Sequence, residues 1–141
     1  MRVTDFIICD DVRIEQLNKV SLMGLYNDKI AITVADKSSV KWPFVMSLGL
    51  FIRLDSAPEK MSSSFDFDVH FILNGKKLGG LEGSATPFAG HLAAIPAKIP
   101  QFPLTEEGKL VFSFTAKNEK GEVFYTFDKE INITVIEQTK N

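Results

Sequence analysis

The 141-residue sequence predicts a single all-β domain, an antiparallel β-sandwich of the immunoglobulin-like or jelly-roll-like type. Apolar and polar residues alternate over many short segments, which is typical of strands with one buried face. Turn signals separate these segments at short spacing, so we count about eight or nine strands. No segment carries a convincing helical period, and we therefore expect no major helix.

The N-terminal region predicts the first strands. Residues 6–9 form an apolar run typical of a strand buried on both faces, whereas the adjacent Asp10 and Asp11 favour a turn or a bulge. Alternation resumes over residues 12–15 and again over residues 20–25. These two stretches are expected to be half-buried strands.

The next two strands differ in how much of their surface is apolar. Residues 30–35 alternate as a short strand after a turn signal. Residues 44–54 are apolar at every even position and mixed at the odd ones, and the aromatic and β-branched content around Gly49 disfavours a helix. We expect a central strand with one face fully buried and the other partly covered.

The cleanest alternation lies in the middle of the chain. Five apolar side chains share one strand face and are expected to be buried: Phe65, Phe67, Val69, Phe71 and Leu73. Asp66 and Asp68 are expected on the exposed face. Asn74 and Gly75 then give the strongest hairpin signal, because both turn positions require positive φ. Residues 76–81 are the expected return strand.

Residues 87–103 differ from the other segments because they contain four prolines and many small apolar residues. Proline cannot donate a hydrogen bond to a β-ladder, so residues 92–99 are at best an edge strand. Two interpretations of Ile95, Ile99 and Phe102 stay open. The segment either straps across one edge of the sandwich, which we favour, or leaves these side chains partly exposed as a packing surface for a partner protein or a second copy.

The C-terminal third predicts the remaining strands. Residues 110–115 alternate after a turn, and residues 122–127 and 130–136 form either two strands or one bent strand. The polar tail at residues 137–141 is expected to be frayed.

Composition bounds the class of function. The net charge is −2 with both signs mixed along the chain, so nothing favours nucleic-acid binding, which requires a basic face. The single cysteine cannot form an internal disulfide, and the N-terminal apolar run is too short for a signal peptide. No segment approaches the roughly 20 apolar residues that span a bilayer. We expect a cytoplasmic protein with no membrane partner.

A weak candidate metal site lies on the polar face of one predicted strand. Asp66, Asp68 and His70 stand at i, i+2 and i+4, and carboxylate and imidazole groups are ligands for several divalent ions. The alternative, which we favour, is the solvated outer face of a half-buried strand, since no fourth ligand can be located. We therefore predict no metal and no other cofactor.

A charged cluster near the N-terminus also has two interpretations. Asp10, Asp11, Arg13 and Glu15 could supply carboxylates for acid–base chemistry. They could instead form a bulge with an edge ion pair that protects the sheet from aggregation. We favour the second interpretation, because no second cluster completes a catalytic site.

Cys9 would be a nucleophile if His70 or His91 served as its base. Its position within an apolar run favours instead a small buried residue, which is the usual role of a free cysteine.

The region around this cluster carries a signature of ten residues: Cys9, Asp10, Val12, Arg13 and Glu15, followed by Lys19, Ser21, Leu22, Gly24 and Tyr26. The signature resembles the opening of a family of uncharacterised bacterial proteins of similar length, described as a domain of unknown function. Asn18 stands where members of that family tend to carry a glycine. The resemblance implies a compact β domain and brings no activity, ligand or catalytic residue with it.

Two hypotheses about function follow, and neither requires a catalytic site. The first is a non-enzymatic β-sandwich module that binds another protein or itself. The alternative is a small-ligand or carbohydrate binder that uses loops at one end of the sandwich, with Trp42 and Tyr26 as stacking residues. A metal-dependent enzyme at His70 and its neighbouring aspartates ranks third.

Overall fold

The computed structural model describes residues 1–56, 64–88 and 91–138. Within these residues it contains nine strands and two single-turn 3₁₀ helices, at Gln16–Asn18 and Lys37–Ser39. The strands are β1 (Arg2–Ile14), β2 (Val20–Tyr26), β3 (Lys29–Val34), β4 (Phe44–Asp55), β5 (Phe65–Leu73), β6 (Lys76–Ala85), β7 (Leu92–Leu104), β8 (Gly108–Lys117) and β9 (Val123–Glu137).

The strands form two sheets packed against each other, which confirms the predicted β-sandwich. The four-stranded sheet has the order β2-β1-β4-β7, and the five-stranded sheet has the order β3-β9-β8-β5-β6. Five of the eight connections between consecutive strands pass from one sheet to the other, so the two sheets are interleaved along the chain. Strands β3 and β9 run parallel, whereas the other paired strands run antiparallel.

Phenylalanine rings fill the space between the sheets. Phe71, Phe102 and Phe112 contact one another with ring centroids 5.0–6.1 Å apart, and Phe6 lies 6.2 Å from Phe112. Because these residues come from both sheets, the cluster joins the two layers directly. Aromatic pairs at these separations add a favourable edge or offset interaction to the burial of their surface.

The strand faces predicted in the middle of the chain are confirmed. The five apolar side chains of β5 are at most 6% exposed. Asp66 is exposed, whereas Asp68 is partly buried because Lys117 Nζ lies 2.7 Å from its carboxylate. Asn74 and Gly75 have φ values of +49° and +82°, as the hairpin prediction requires. The return strand runs on to Ala85, beyond its predicted end.

Two local predictions need correction at the chain's beginning and end. Strand β1 continues through Asp10 and Asp11, where a turn or a bulge was expected. Strand β9 is one long strand that ends at Glu137, and the N–H of Gln138 donates to the carbonyl of Val34 at 2.8 Å. The rest of the tail predicted to fray, residues 139–141, lies outside the described residues.

Strand β7 is an edge strand, as its prolines predict, but the side chains of Ile95, Ile99 and Phe102 face the core. Phe102 is fully buried, Ile95 is 5% exposed, and Ile99 is partly buried against the core. The expectation that these side chains form an exposed packing surface is therefore wrong for Ile95 and Phe102. An edge strand pairs along one side, so proline is tolerated where its missing N–H would face the open side, and the alternation continues.

Candidate functional site

The outer face of the four-stranded sheet is apolar at its centre. The strand register places Ile7 of β1, Phe51 of β4 and Pro96 of β7 side by side. Their neighbours along each strand, such as Ile8 and Ile52, belong to the core between the sheets, so these three point outward. Outer faces of antiparallel sandwiches are ordinarily polar and solvated. Phe51 is nevertheless only 9% exposed, so other residues must cover its outward-facing side chain.

The guanidinium of Arg53 lies over the Phe51 ring, with its carbon 5.7 Å from the ring centroid. Farther along β4, the distal half of the β1–β2 hairpin, residues 10–24, which we call the hairpin arm, lies over Gly49. Pairing between β1 and β4 ends at Cys9 and Gly49. Beyond that point the carboxylate of Asp11 lies 2.9 Å from Nζ of Lys98 on β7, although β4 separates β1 from β7 in the sheet. The hairpin arm therefore leans over β4 towards β7.

Gly49 allows this close approach. A Cβ at position 49 would lie 2.6 Å from Cγ2 of Val12, 3.0 Å from Sγ of Cys9 and 3.1 Å from the backbone nitrogen of Val12. Cys9 and Val12 are both buried, yet neither belongs to the core cluster between the sheets. They form a small second packing layer outside the sheet, and any side chain at Gly49 would push it away.

An open cleft of about 750 Å³ lies between the hairpin arm and the sheet. This volume falls in the range of pockets that hold small molecules. Ile14, Val20 and Leu22 line it from the hairpin arm, and Phe88 lines it from the segment before β7. The lining residues on the sheet are Ile7, Phe51, Arg53, Ala94 and Pro96. Of the described residues that line this apolar cleft, Arg53 alone carries a charge.

Neighbouring side chains hold Arg53 in place but leave some of its N–H donors without a partner side chain among the described residues. Its Nε lies 3.0 Å from a carboxylate oxygen of Asp5, and its guanidinium carbon lies 5.7 Å from the centroid of the Phe51 ring. The side chain is about half exposed. A guanidinium has five N–H donors, more than one carboxylate can accept, so part of its binding capacity remains for a ligand.

One member of the predicted charged cluster, Asp11, anchors the hairpin arm to β7, and a second, Arg13, pairs with it within the arm. The carboxylate of Asp11 lies between Lys98 Nζ at 2.9 Å and Arg13 Nε at 3.1 Å. The Lys98 ammonium first, and the Arg13 guanidinium second, hold the pKa of Asp11 below its ordinary value. Our favoured interpretation expected a bulge with an edge ion pair. The structure has the ion pair, but β1 is an interior strand without a bulge at Asp11, and protection from aggregation stays a prediction.

The other members of the cluster have different partners. The hydroxyl of Tyr26 donates to the carboxylate of Asp10, and burial first, then this bond, raises the pKa of the Tyr26 phenol. Glu15 lies exposed near the end of the hairpin arm. Neither Tyr26 nor Trp42, the stacking residues expected for a carbohydrate, lines the apolar cleft.

The candidate metal ligands do not converge. Ser84 Oγ donates to Asp66 at 2.6 Å, and Asp68 pairs with Lys117. Nδ1 of His70 is buried and has no hydrogen-bond partner among the described residues. Within residues 1–56, 64–88 and 91–138, no group of three acidic, histidine or cysteine side chains could hold a metal ion. The three residues share a strand face but are separated along it.

Cys9 is a buried residue, as we favoured, and it does not pair with either histidine that was considered as its base. Its thiol is fully buried and lies 3.3 Å from the carbonyl oxygen of Asp11, and burial raises its pKa. Nδ1 of His91 lies 3.2 Å from the Asp55 carboxylate, and His70 belongs to the opposite sheet. Cys9 is therefore a packing residue beneath the hairpin arm.

No protein-family model matches the chain, and the curated proteins contain no sequence match to it. The resemblance of the opening region to a bacterial family thus stays a prediction. Of the part of the chain that the structure describes, no helix is long and apolar enough to span a membrane.

The apolar cleft is the feature that reasoning from sequence missed. Its floor had a signal in the sequence. Ile7 belongs to a run that was expected to be buried on both faces, and Phe51 belongs to a strand whose second face was expected to be partly covered. Its roof had none. The lean of the hairpin arm depends on Gly49 and Lys98, which lie far from the arm in sequence.

Proposed function

We propose that this β-sandwich is a non-enzymatic binding module that holds an apolar ligand in the apolar cleft. The observation that supports the proposal is an open concave surface whose described lining residues are eight apolar residues and one arginine. Ile14 is 72% exposed and Phe88 is 52% exposed at its rim. Contiguous exposed apolar surface of this kind marks binding sites in folded proteins. The cytoplasmic location stays a prediction.

Filling the apolar cleft with a side chain tests the proposal. Ala94 lies on the cleft floor, so Ala94→Phe should occupy the space without disturbing the core. Thr126 is exposed on the outer face of the five-stranded sheet, and Thr126→Phe is the matched control. Titration with the neutral fluorophore Nile red should give saturable enhancement for the wild type and for Thr126→Phe. The enhancement should be lost in Ala94→Phe.

Urea unfolding of all three proteins checks that each is folded. Equal enhancement in the wild type and Ala94→Phe would mean that the probe binds elsewhere, and absence of saturable enhancement in the wild type would remove the proposed function.

A protein partner is the second candidate function, and the open edge of β2 favours it. Strand β2 lies at the edge of its sheet and contains neither charge nor proline, the usual protections against pairing with another chain. Met23 and Leu25 are 47% and 56% exposed on it. Sedimentation of the pure protein tests the self-association version, with Met23→Lys as the probe. A wild-type monomer at high concentration would remove that version.

A further inference from the structure

Among the described lining residues of the apolar cleft, Arg53 carries the one charge, and it lies on the same strand as the covered end. Val12 of the hairpin arm packs over Gly49. From Gly49, β4 runs past Phe51 to Arg53, and four residues of strand span about 13 Å. The guanidinium carbon of Arg53 reaches back to 5.7 Å from the centroid of the Phe51 ring. A ligand lying along β4 would therefore pass over an apolar floor and reach a cation.

The neighbouring charges leave Arg53 available for an anion. Lys98, at the covered end, is engaged by Asp11. Beyond Arg53, the carboxylate of Asp55 lies 3.2 Å from Nδ1 of His91 and 3.9 Å from Arg2. Asp5 is the one carboxylate within ion-pair distance of Arg53 among the described residues. A monoanionic head that shares or displaces Asp5 would match this one guanidinium.

The sheet floor suits a hydrocarbon chain better than a peptide. Strand β4 is paired with β1 on one side and with β7 on the other, so its backbone groups are already used. A peptide lying on this face would bury amide groups without partners, which is costly. An unbranched hydrocarbon chain has no polar groups to satisfy.

We propose that the apolar cleft binds a medium-chain fatty acid, with its chain lying along β4 over Phe51, between Ile7 and Pro96, and its carboxylate on the guanidinium of Arg53. An arginine guanidinium donates two parallel N–H···O bonds to a carboxylate, which fixes the orientation of the carboxylate head. This inference rests on the proposed function, because it assigns the ligand class of the same cleft.

Calorimetric titration with dodecanoate and with dodecanol, both below their aggregation concentrations, separates the head from the chain. Arg53→Gln should weaken dodecanoate binding about tenfold, as expected for loss of a charge-assisted hydrogen-bonded pair. It should leave dodecanol binding unchanged. Asp5→Asn removes the competing carboxylate and should tighten dodecanoate binding by roughly twofold to threefold, with no effect on dodecanol.

Lys109→Gln is the matched control for loss of a positive charge. Lys109 is 56% exposed, pairs with Glu130 at 2.9 Å and lies on the other sheet, so both ligands should bind this variant like the wild type. Thermal unfolding of each variant confirms that it is folded.

The outcomes distinguish the two proposals. Dodecanoate and dodecanol binding with equal affinity, insensitive to Arg53→Gln, would overturn the assignment of the carboxylate and leave the binding module intact. Binding of an apolar peptide carboxylate, but not of dodecanoate, through Arg53 would overturn the fatty-acid assignment. Failure of dodecanoate, dodecanol and Nile red alike would overturn both the inference and the proposed function.

Discussion

The two sheets share one core but differ in what they present on their outer faces. At the centre of the four-stranded sheet, Ile7 lies beside Phe51. At the centre of the five-stranded sheet, the register places Asp68, Thr115 and Thr126 side by side. The outer face of the five-stranded sheet is the polar surface expected of an antiparallel sandwich. The outer face of the four-stranded sheet is apolar and partly covered by the hairpin arm. Since both sheets bury their inner faces equally well, the apolar outer face is not needed to close the core.

The ion pairs of the two faces differ in the same way. On the five-stranded sheet, Lys117 pairs with Asp68 across the neighbouring strands β8 and β5. On the four-stranded sheet, Asp11 pairs with Lys98 across an intervening strand. The first pair adds to contacts that the ladder already makes, whereas the second holds the hairpin arm over the sheet. The comparison therefore predicts larger structural effects on the four-stranded sheet.

The largest effect is expected from an added methyl group at Gly49. Gly49→Ala should destabilise the protein by about 2–3 kcal/mol, because overpacking against backbone and buried side chains cannot relax easily. Gly79→Ala is the matched control, since its new Cβ would have no neighbour closer than 3.9 Å. Urea unfolding measures both variants. Equal free energies of unfolding would show that the hairpin arm is not packed on Gly49.

A smaller effect is expected from truncating the cleft floor. Phe51→Ala should cost about 1–2 kcal/mol, less than a core phenylalanine, because one side of the ring faces an open cleft. Thr115→Ala, at the corresponding central position of the other face, should stay within about 0.5 kcal/mol. Chemical denaturation compares the two. A loss at Thr115 as large as that at Phe51 would contradict the difference between the faces.

Titration of Asp11 in acid and of Lys117 in base should each remove the stabilisation of one ion pair. The folded-state pKa of Asp11 is lowered, so its stabilisation is fully present above the ordinary value of 3.8 and is lost as the pH falls through the folded pKa. The pKa of Lys117 is raised by Asp68, so its stabilisation is present below 10.5 and is lost as the pH rises through the folded pKa.

Denaturant midpoints measured against pH check both titrations. The difference between the wild type and Asp11→Asn should shrink as the pH falls through the folded pKa of Asp11, and the difference between the wild type and Lys117→Met should shrink as the pH rises through the folded pKa of Lys117. A difference that stays constant through either range would contradict the corresponding ion pair.

The smallest effect on stability is expected at exposed apolar residues. Phe88 and Val123 are 52% and 55% exposed, so Phe88→Ser and Val123→Ser should each change the free energy of unfolding by less than about 0.5 kcal/mol. Only Phe88→Ser should weaken Nile red binding, because only Phe88 lines the apolar cleft. Equal weakening in both variants would place the probe outside the cleft.

Local sequence determined most of the strands and the face each one buries. Alternation of period two identifies the buried side of β5 without any knowledge of its partners, because successive side chains point to opposite faces. Asn74 and Gly75 specify their turn by backbone conformation alone. The prolines of β7 likewise require an edge position, since they lack the N–H that a second neighbour would need.

Only the tertiary structure decided what lies against the outer face of the four-stranded sheet. Alternation shows that Ile7 and Phe51 are apolar, but their cover depends on how far the hairpin arm leans, and that is set by contacts with Gly49 and Lys98 from distant strands. The same holds for Phe102, whose ring is buried because β7 packs against Phe71 of the opposite sheet. The local sequence pattern determines to which face of its strand a side chain points. Long-range packing determines which residues of other strands contact that side chain. The apolar cleft depends on this long-range packing.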